Sequence, residues 1–240
     1  MLMKKQWELL QYCVDKGYSK KQFVHFNTNG TIFNTEYADI LKHFEHARIS
    51  FSADGVNEGF NYTRHPGKWN EVEANIKSWL RYTKGLKNFS YEVTYTTSIL
   101  NVLHCHDMAK WILDHNLSTQ TSGDHIITLY VAFVFGPPSY CIKNIPPEAK
   151  LEVIQKVKEK AEVLKQHPAY KNHSYVYDEC MKISQTLENA DEYSEHEFGK
   201  FFYDNDRLDK WRKEDFSSVF PELFTILNKY RPPFNYTKIV

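Results

Sequence analysis

The alternation of strand-like and helix-like segments is the feature that most constrains the fold. The four strand candidates, rich in β-branched and aromatic residues, are residues 22–27, 48–52, 91–100 and 126–135. Helices are expected before and between them, at residues 4–16, 35–46, 69–82 and 106–114. Strands separated by helices of this length pair in parallel through right-handed crossovers, so the sequence predicts a layered or barrel-like α/β architecture.

The character of the chain changes after residue 140. Two proline-rich interruptions, Gly136-Pro137-Pro138 and Ile145-Pro146-Pro147, precede a long charged helix predicted at residues 148–166. Further helices are expected at residues 176–187, at residues 195–208 and from residue 220 onward. The sequence therefore predicts an α/β part at residues 1–140 and a helical carboxy-terminal region at residues 141–240 packed on it.

Composition narrows the classes of partner. The chain has 30 basic and 30 acidic residues, so charge gives no reason to expect nucleic acid or an anionic membrane as a partner. The longest apolar run, residues 126–135, is far shorter than the roughly 20 residues of a membrane-spanning helix. Because the first residues lack the pattern of a secretory signal, and because the four cysteines have no CxxC spacing, we expect a cytoplasmic protein with reduced thiols.

Polar turns follow three of the predicted strands. These are Asn27-Thr28-Asn29-Gly30, Ser52-Ala53-Asp54-Gly55 and Ser98-Ile99-Leu100-Asn101. Ligands of parallel α/β folds bind at the carboxyl ends of the strands, so the three turns together predict a site on one rim of the sheet. Taken singly, Asn-Gly and Asp-Gly are also explained by turn formation alone.

Other chemical motifs are weak. His104-Cys105-His106-Asp107 is the densest run of possible metal ligands, but consecutive helical residues point in different directions, so we expect no metal site there. The sequence contains no GxSxG, HExxH, P-loop or GxGxxG motif. Ordinary hydrolase and nucleotide-binding chemistries are therefore unsupported.

The turns and their spacing resemble the later strands of radical S-adenosylmethionine (radical SAM) enzymes, in particular the group with twitch or SPASM-type auxiliary domains. The matching segments read FVHFNTNGT from residue 23 and RISFSADGVNEGFNYTRHPGKW from residue 48, with Arg64 twelve positions after Ser52. Residues 142–148 and 215–223 also look like the tails of that group. The resemblance thus covers nearly the whole chain and implies the later half of a (βα) barrel followed by a mainly helical tail.

The resemblance also implies a binding site for S-adenosylmethionine. It gives Ser52 and Arg64 contacts to the ribose or methionine part and places Leu100, beside Asn101, against the adenine. The complete set of cofactor-binding residues that it implies is Asn27, Asn29, Ser52, Asp54, Arg64, Leu100 and Asn101.

The chain departs from the family at its iron–sulfur centre. The Cys-x3-Cys-x2-Cys loop that holds the [4Fe–4S] cluster is absent from these 240 residues, as is the family's Gly-Gly-Glu-Pro segment. Cys13, Cys105, Cys141 and Cys180 lie where the family does not place cluster ligands. If the chain takes part in radical chemistry, the resemblance implies a partner that supplies the CxxxCxxC segment, and we expect the chain to be inactive alone.

Three functions remain open on the sequence. In the first, the chain orients S-adenosylmethionine in a split or truncated enzyme, and the edge of its first strand at residues 22–27 is exposed for a partner. In the second, it is a degenerate, non-catalytic half-barrel that binds another molecule, and that edge is covered, with the first helix as one candidate cover. In the third, it is an unrelated α/β enzyme, which requires an acid–base pair near Asp54. The substrate is not indicated in any of the three.

Overall fold

A computed structural model describes residues 4–119 and 125–233 of the chain. The strands are β1 (Phe23–Thr28), β2 (His46–Ser52), β3 (Phe89–Thr97) and β4 (Ile127–Phe133). The helices of the first part are α1 (Lys4–Asp15), α2 (Thr35–Leu41), α3 (Asn57–Thr63), α4 (Trp69–Tyr82) and α5 (Cys105–Thr119). Those of the second part are α6 (Pro147–Leu164), α7 (Tyr175–Glu188), α8 (Glu195–Arg212), α9 (Phe216–Val219) and α10 (Pro221–Asn228).

The four strands form one sheet in the order β1-β2-β3-β4, and every neighbouring pair is parallel. Sequence neighbours are thus also spatial neighbours, as expected when short helical crossovers connect parallel strands. The predicted α/β fold with a parallel sheet and a helical tail is confirmed.

Several element boundaries differ from the sequence prediction, and the ends of α2 and β3 have a clear structural reason. Helix α2 ends at Leu41 rather than at residue 46, because His46 already pairs with Phe23 as the first residue of β2. Strand β3 ends at Thr97 rather than at residue 100, because the Asn101 carboxamide oxygen accepts the Ser98 backbone N–H at 2.8 Å and closes a turn. The short helix α3 was not predicted from the sequence.

The two faces of the sheet have opposite character. On the apolar face, side chains of β2 to β4 are buried against the helices, among them Ile49, Phe51, Val93 and Leu129. On the polar face the alternate positions carry the side chains His25, Asn27, Arg48, Ser50, Ser52, Glu92, Thr94, Thr128 and Tyr130. The period of two in a strand separates the two sets.

The two edges of the sheet also differ. Helix α7 covers the edge of β4, where Glu179 Oε2 accepts the Val131 backbone N–H at 2.9 Å and the Tyr175 hydroxyl donates to the Ile127 carbonyl at 3.1 Å. On the opposite edge, the backbone of β1 has no backbone hydrogen-bond partner other than β2 within the described residues. Phe23 at this edge is 60% exposed.

The helical tail packs on the sheet's helical layer. Helix α6 packs against both α5 and α7, and one cluster of buried apolar residues continues from the strands into the tail. The tail also reaches the end of the sheet where β2 stops: the Tyr62 hydroxyl of α3 donates to Asp209 of α8 at 2.7 Å. Between residues 4 and 119 and between 125 and 233, no helix has the length and apolar character needed to cross a membrane.

Candidate binding site at the carboxyl ends of the strands

The sequence-predicted residues lie at the carboxyl ends of β1, β2 and β3. Ser52 is the last residue of β2, and Asp54 follows it in the turn toward α3. Arg64 follows the last residue of α3, and Asn101 closes the turn after β3. The structure therefore brings Ser52, Asp54, Arg64 and Asn101 to one rim, as parallel strands require.

Asp54 links three segments of this rim. Its Oδ1 accepts the Thr96 backbone N–H at 2.8 Å, and its Oδ2 lies 2.5 Å from Arg64 Nε. Its backbone carbonyl accepts the Asn101 side-chain N–H at 2.9 Å. The Asp-Gly turn is thus fixed to β3 and to the end of α3, and Arg64 is held over the rim by an ion pair.

Asn101 is 1% exposed and its carboxamide is fully engaged. The amide nitrogen donates to the carbonyls of Asp54 and Thr96, at 2.9 and 3.1 Å, and the oxygen accepts from the Ser98 N–H and hydroxyl, at 2.8 and 3.3 Å. A carboxamide has two donors and two acceptor positions, so none is left for a ligand. Asn101 therefore positions the rim, while its neighbour Leu100 is half-buried and accessible.

Ser52 has a different environment. Its side chain is half-buried on the polar face, at the position paired with Thr94, and its hydroxyl has no hydrogen-bond partner among the described residues. The two terminal nitrogen atoms of Arg64 likewise have no hydrogen-bond partner within residues 4–119 and 125–233. A free hydroxyl and a guanidinium fork on one rim are suited to an oxygen-rich or anionic ligand.

Asn27 and Asn29 line a different cavity from the one that Asp54 lines. Both are exposed, and they line a cavity of about 310 Å³ beside α1, whose wall includes Trp7 and Tyr37. Asn29 Oδ1 accepts the Thr31 N–H at 3.2 Å, which is a turn-forming contact. Gly30 has a φ of 71°, and a Cβ there would lie 2.9 Å from Val72 Cγ1, so this Asn-Gly turn is also required by the packing.

A cavity of about 240 Å³ opens at the rim and contains an acid–base pair. It is lined by Asp54, Gly55, Glu58, His104, Asp107 and Phe220, among others. His104 Nδ1 lies 3.0 Å from Asp107 Oδ2, and His106 Nε2 lies 3.1 Å from Asp107 Oδ1. Burial raises the pKa of Asp107, but the hydrogen bonds to His104 and His106 outweigh it and hold that pKa well below its usual range.

The polar face holds a hydrogen-bonded network that the sequence analysis missed. His25 Nε2 lies 2.9 Å from Ser50 Oγ, and the Ser50 hydroxyl donates to Glu92 Oε1 at 2.9 Å. Arg48 donates to the other carboxylate oxygen of Glu92. The alternation of His46, Arg48, Ser50 and Ser52 with apolar residues in β2 already indicated a polar face. The register of β1, β2 and β3 is needed to show which side chains on that face are bonded to each other.

The described residues contain no obvious metal centre, and the chain has no match among known proteins. Within the described residues no three His, Cys, Asp or Glu side chains are grouped as metal ligands, and all four cysteines are free thiols. In comparisons with known proteins, no family model, no curated protein and no solved structure matches this chain.

Proposed function

We propose that this chain is the S-adenosylmethionine-orienting part of a radical SAM enzyme, and that its sheet is the later half of a (βα) barrel. The observation that carries the proposal is the meeting of the Ser-x-Asp-Gly turn, Arg64 and Leu100-Asn101 at one rim. The polar face supports it. Parallel sheets are normally covered on both faces, whereas a barrel turns its second face inward, where it can line a ligand site.

The rim residues divide into ligand contacts and positioning residues. The free Ser52 hydroxyl is suited to a ribose hydroxyl or to the methionine carboxylate, and the terminal nitrogens of Arg64 are suited to that carboxylate. The half-buried Leu100 offers an apolar surface to the adenine. Asp54 and Asn101 hold these groups in place through the bonds described above. Asn27 and Asn29 extend the site along the end of β1.

The chemistry proposed for the assembled enzyme needs a partner. A [4Fe–4S] cluster, held by the thiolates of a partner chain with a CxxxCxxC segment, would supply one electron to S-adenosylmethionine. The C5′–S bond would break, giving methionine and a 5′-deoxyadenosyl radical that takes a hydrogen atom from the substrate. This chain's residues would bind and orient the cofactor. Free thiols favour the reducing cytoplasm as the compartment.

The state of the β1 edge favours this function over a degenerate half-barrel. The degenerate alternative predicts a covered edge, with the first helix as one candidate cover. Trp7 of α1 does contact Phe26 of β1, but no strand or helix is hydrogen-bonded to the outer side of the β1 backbone within the described residues. An unpaired strand edge is a template for a partner strand. The proposed occupant is the last strand of the barrel half that carries the cluster, because strands that are neighbours in chain order are also neighbours in this sheet.

A second candidate function rests on the cavity at the rim. An unrelated α/β enzyme requires an acid–base pair near Asp54, and His104 with Asp107 lines the same cavity as Asp54. Under that function, a His104→Gln change abolishes activity without changing S-adenosylmethionine binding.

The test is a calorimetric titration of the chain with S-adenosylmethionine, alone and with a candidate CxxxCxxC partner chain. We expect binding that appears or tightens with the partner. Ser52→Ala and Arg64→Ala should each weaken it at least tenfold, or about 1.4 kcal/mol. Ser90→Ala, near the amino end of β3, and Arg81→Ala, at the exposed end of α4, are matched controls and should bind normally. Absence of binding under both conditions contradicts the proposal.

A further inference from the structure

A second group of polar side chains lies on the polar face, away from the rim. His25 and Arg48 are paired positions of β1 and β2, so their backbones are about 4.8 Å apart and their side chains leave the same face. Arg48 precedes Ser52 by four residues along β2, a separation of roughly 13 Å. The two positions are therefore separate from the Ser52 hydroxyl but belong to the same surface.

The hydrogen bonds fix the tautomer of His25. The Glu92 carboxylate, paired with Arg48, can only accept, so the Ser50 proton is used in the bond to Glu92 Oε1. Ser50 Oγ must then accept from His25, which places the imidazole proton on Nε2. Nδ1 consequently carries a lone pair, and it has no hydrogen-bond partner among the described residues. His25 is exposed, so this lone pair is available to a ligand.

Arg48 offers a complementary group beside it. One terminal nitrogen of its guanidinium is used on Glu92, and its other N–H groups have no partner among the described residues. The Arg48 side chain is 39% exposed, whereas the Glu92 side chain is 10% exposed. The more buried Glu92 thus holds the guanidinium in place, and the remaining donors of Arg48 are free for an anionic group.

We propose that His25 and Arg48 form a ligand site in which Arg48 binds an anionic oxygen group, a carboxylate or a phosphate, of a small molecule. His25 Nδ1 accepts a hydrogen bond from a neighbouring hydroxyl or ammonium group of that molecule, while the Nε2–H group stays bonded to Ser50 Oγ. The site does not depend on S-adenosylmethionine binding.

The first measurement determines the tautomer. Two-bond ¹H–¹⁵N correlation spectra are recorded on the full chain labelled with ¹⁵N-histidine, about two pH units above the usual imidazole pKa of about 6.5. His25→Gln identifies the His25 signals by their loss. We expect the Nε2–H form, and we expect Ser50→Ala to reduce its preference. Observation of the Nδ1–H form in the unaltered chain overturns the proposal.

The second measurement tests anion binding with two probes, inorganic phosphate and acetate, each compared with chloride at equal ionic strength. Saturable shifts of the His25 ring signals with at least one probe, at least tenfold weaker in Arg48→Met, support the site. Arg81→Met is the matched control and should bind as the unaltered chain does. If Arg48→Met does not fold, Arg48→Lys replaces it, because lysine keeps the charge but not the fork of donors, and binding should weaken severalfold. Absence of saturable shifts with both probes, or binding unchanged in the Arg48 variant, overturns the proposal.

Discussion

The two faces of the sheet are built from the same strands but meet different requirements. Phe51 is fully buried on the apolar face, whereas its neighbour Ser52 is half-buried on the polar face, and its hydroxyl has no hydrogen-bond partner in the part of the chain that the structure describes. In β3, Val93 is buried against the helices, and the adjacent Glu92 pairs with Arg48. The apolar face therefore stabilises the fold, and the polar face carries the groups to which the proposed ligands bind. Substitutions on the two faces should separate stability from binding.

The largest expected effect comes from the apolar face. Phe51→Ala removes a fully buried ring and should lower the free energy of unfolding by about 3–5 kcal/mol. Ser52→Ala, one residue later, should change it by no more than about 0.5 kcal/mol. Urea denaturation of both variants measures the difference. Equal losses would show that the two faces are not energetically distinct.

The next effect concerns the charges of the polar face. A double-mutant cycle with Arg48→Met and Glu92→Gln should give a coupling energy of about 1–3 kcal/mol, because the carboxylate is largely buried and bonded on both oxygens. The exposed pair Lys110 and Asp114 of α5 is the control, with an expected coupling below about 0.5 kcal/mol. Similar coupling energies in both cycles would show that the Arg48–Glu92 pair is no stronger than an ordinary surface ion pair.

The two edges of the sheet should also differ in their contribution to stability, by a smaller amount than the two faces. Glu179→Ala removes the acceptor of the Val131 backbone N–H and should destabilise the chain by about 1 kcal/mol. Phe23→Lys at the open β1 edge should leave stability within about 0.5 kcal/mol, since the ring is mostly exposed. Thermal unfolding of both variants is the measurement. A large loss of stability for Phe23→Lys would show that the Phe23 ring packs against other residues of the chain.

The smallest expected effect is the pH dependence due to Asp107. Its pKa is lowered in the folded chain, so it contributes stability above the usual carboxyl value of about 3.9, and this is lost as the pH falls below that value. Asp107→Asn should therefore reduce stability near neutral pH by about 0.5 kcal/mol, the size typical of partly exposed ion pairs, and narrow the difference in acid. Urea unfolding at several pH values measures this. A difference that grows in acid would contradict the sign.

The sequence predicted what depends on local patterns. Periodicity located all four strands and the main helices, and the turn residues placed Ser52, Asp54 and Asn101 on one rim. The sequence did not predict the register of the strands or the geometry of their side chains. The link from His25 through Ser50 to Glu92 joins three strands, and no single segment reveals it. The internal saturation of Asn101 and the ion pair of Asp54 with Arg64 likewise depend on contacts between distant residues.

The central claim is that S-adenosylmethionine binds at the carboxyl rim of this sheet. Hydrogen–deuterium exchange of the full chain, with and without saturating S-adenosylmethionine and with the CxxxCxxC partner present in both samples, tests it most directly. The account predicts slower exchange in peptides covering residues 52–64 and 96–101, and unchanged exchange in α6. Protection confined to other segments, or no protection at all, would contradict it.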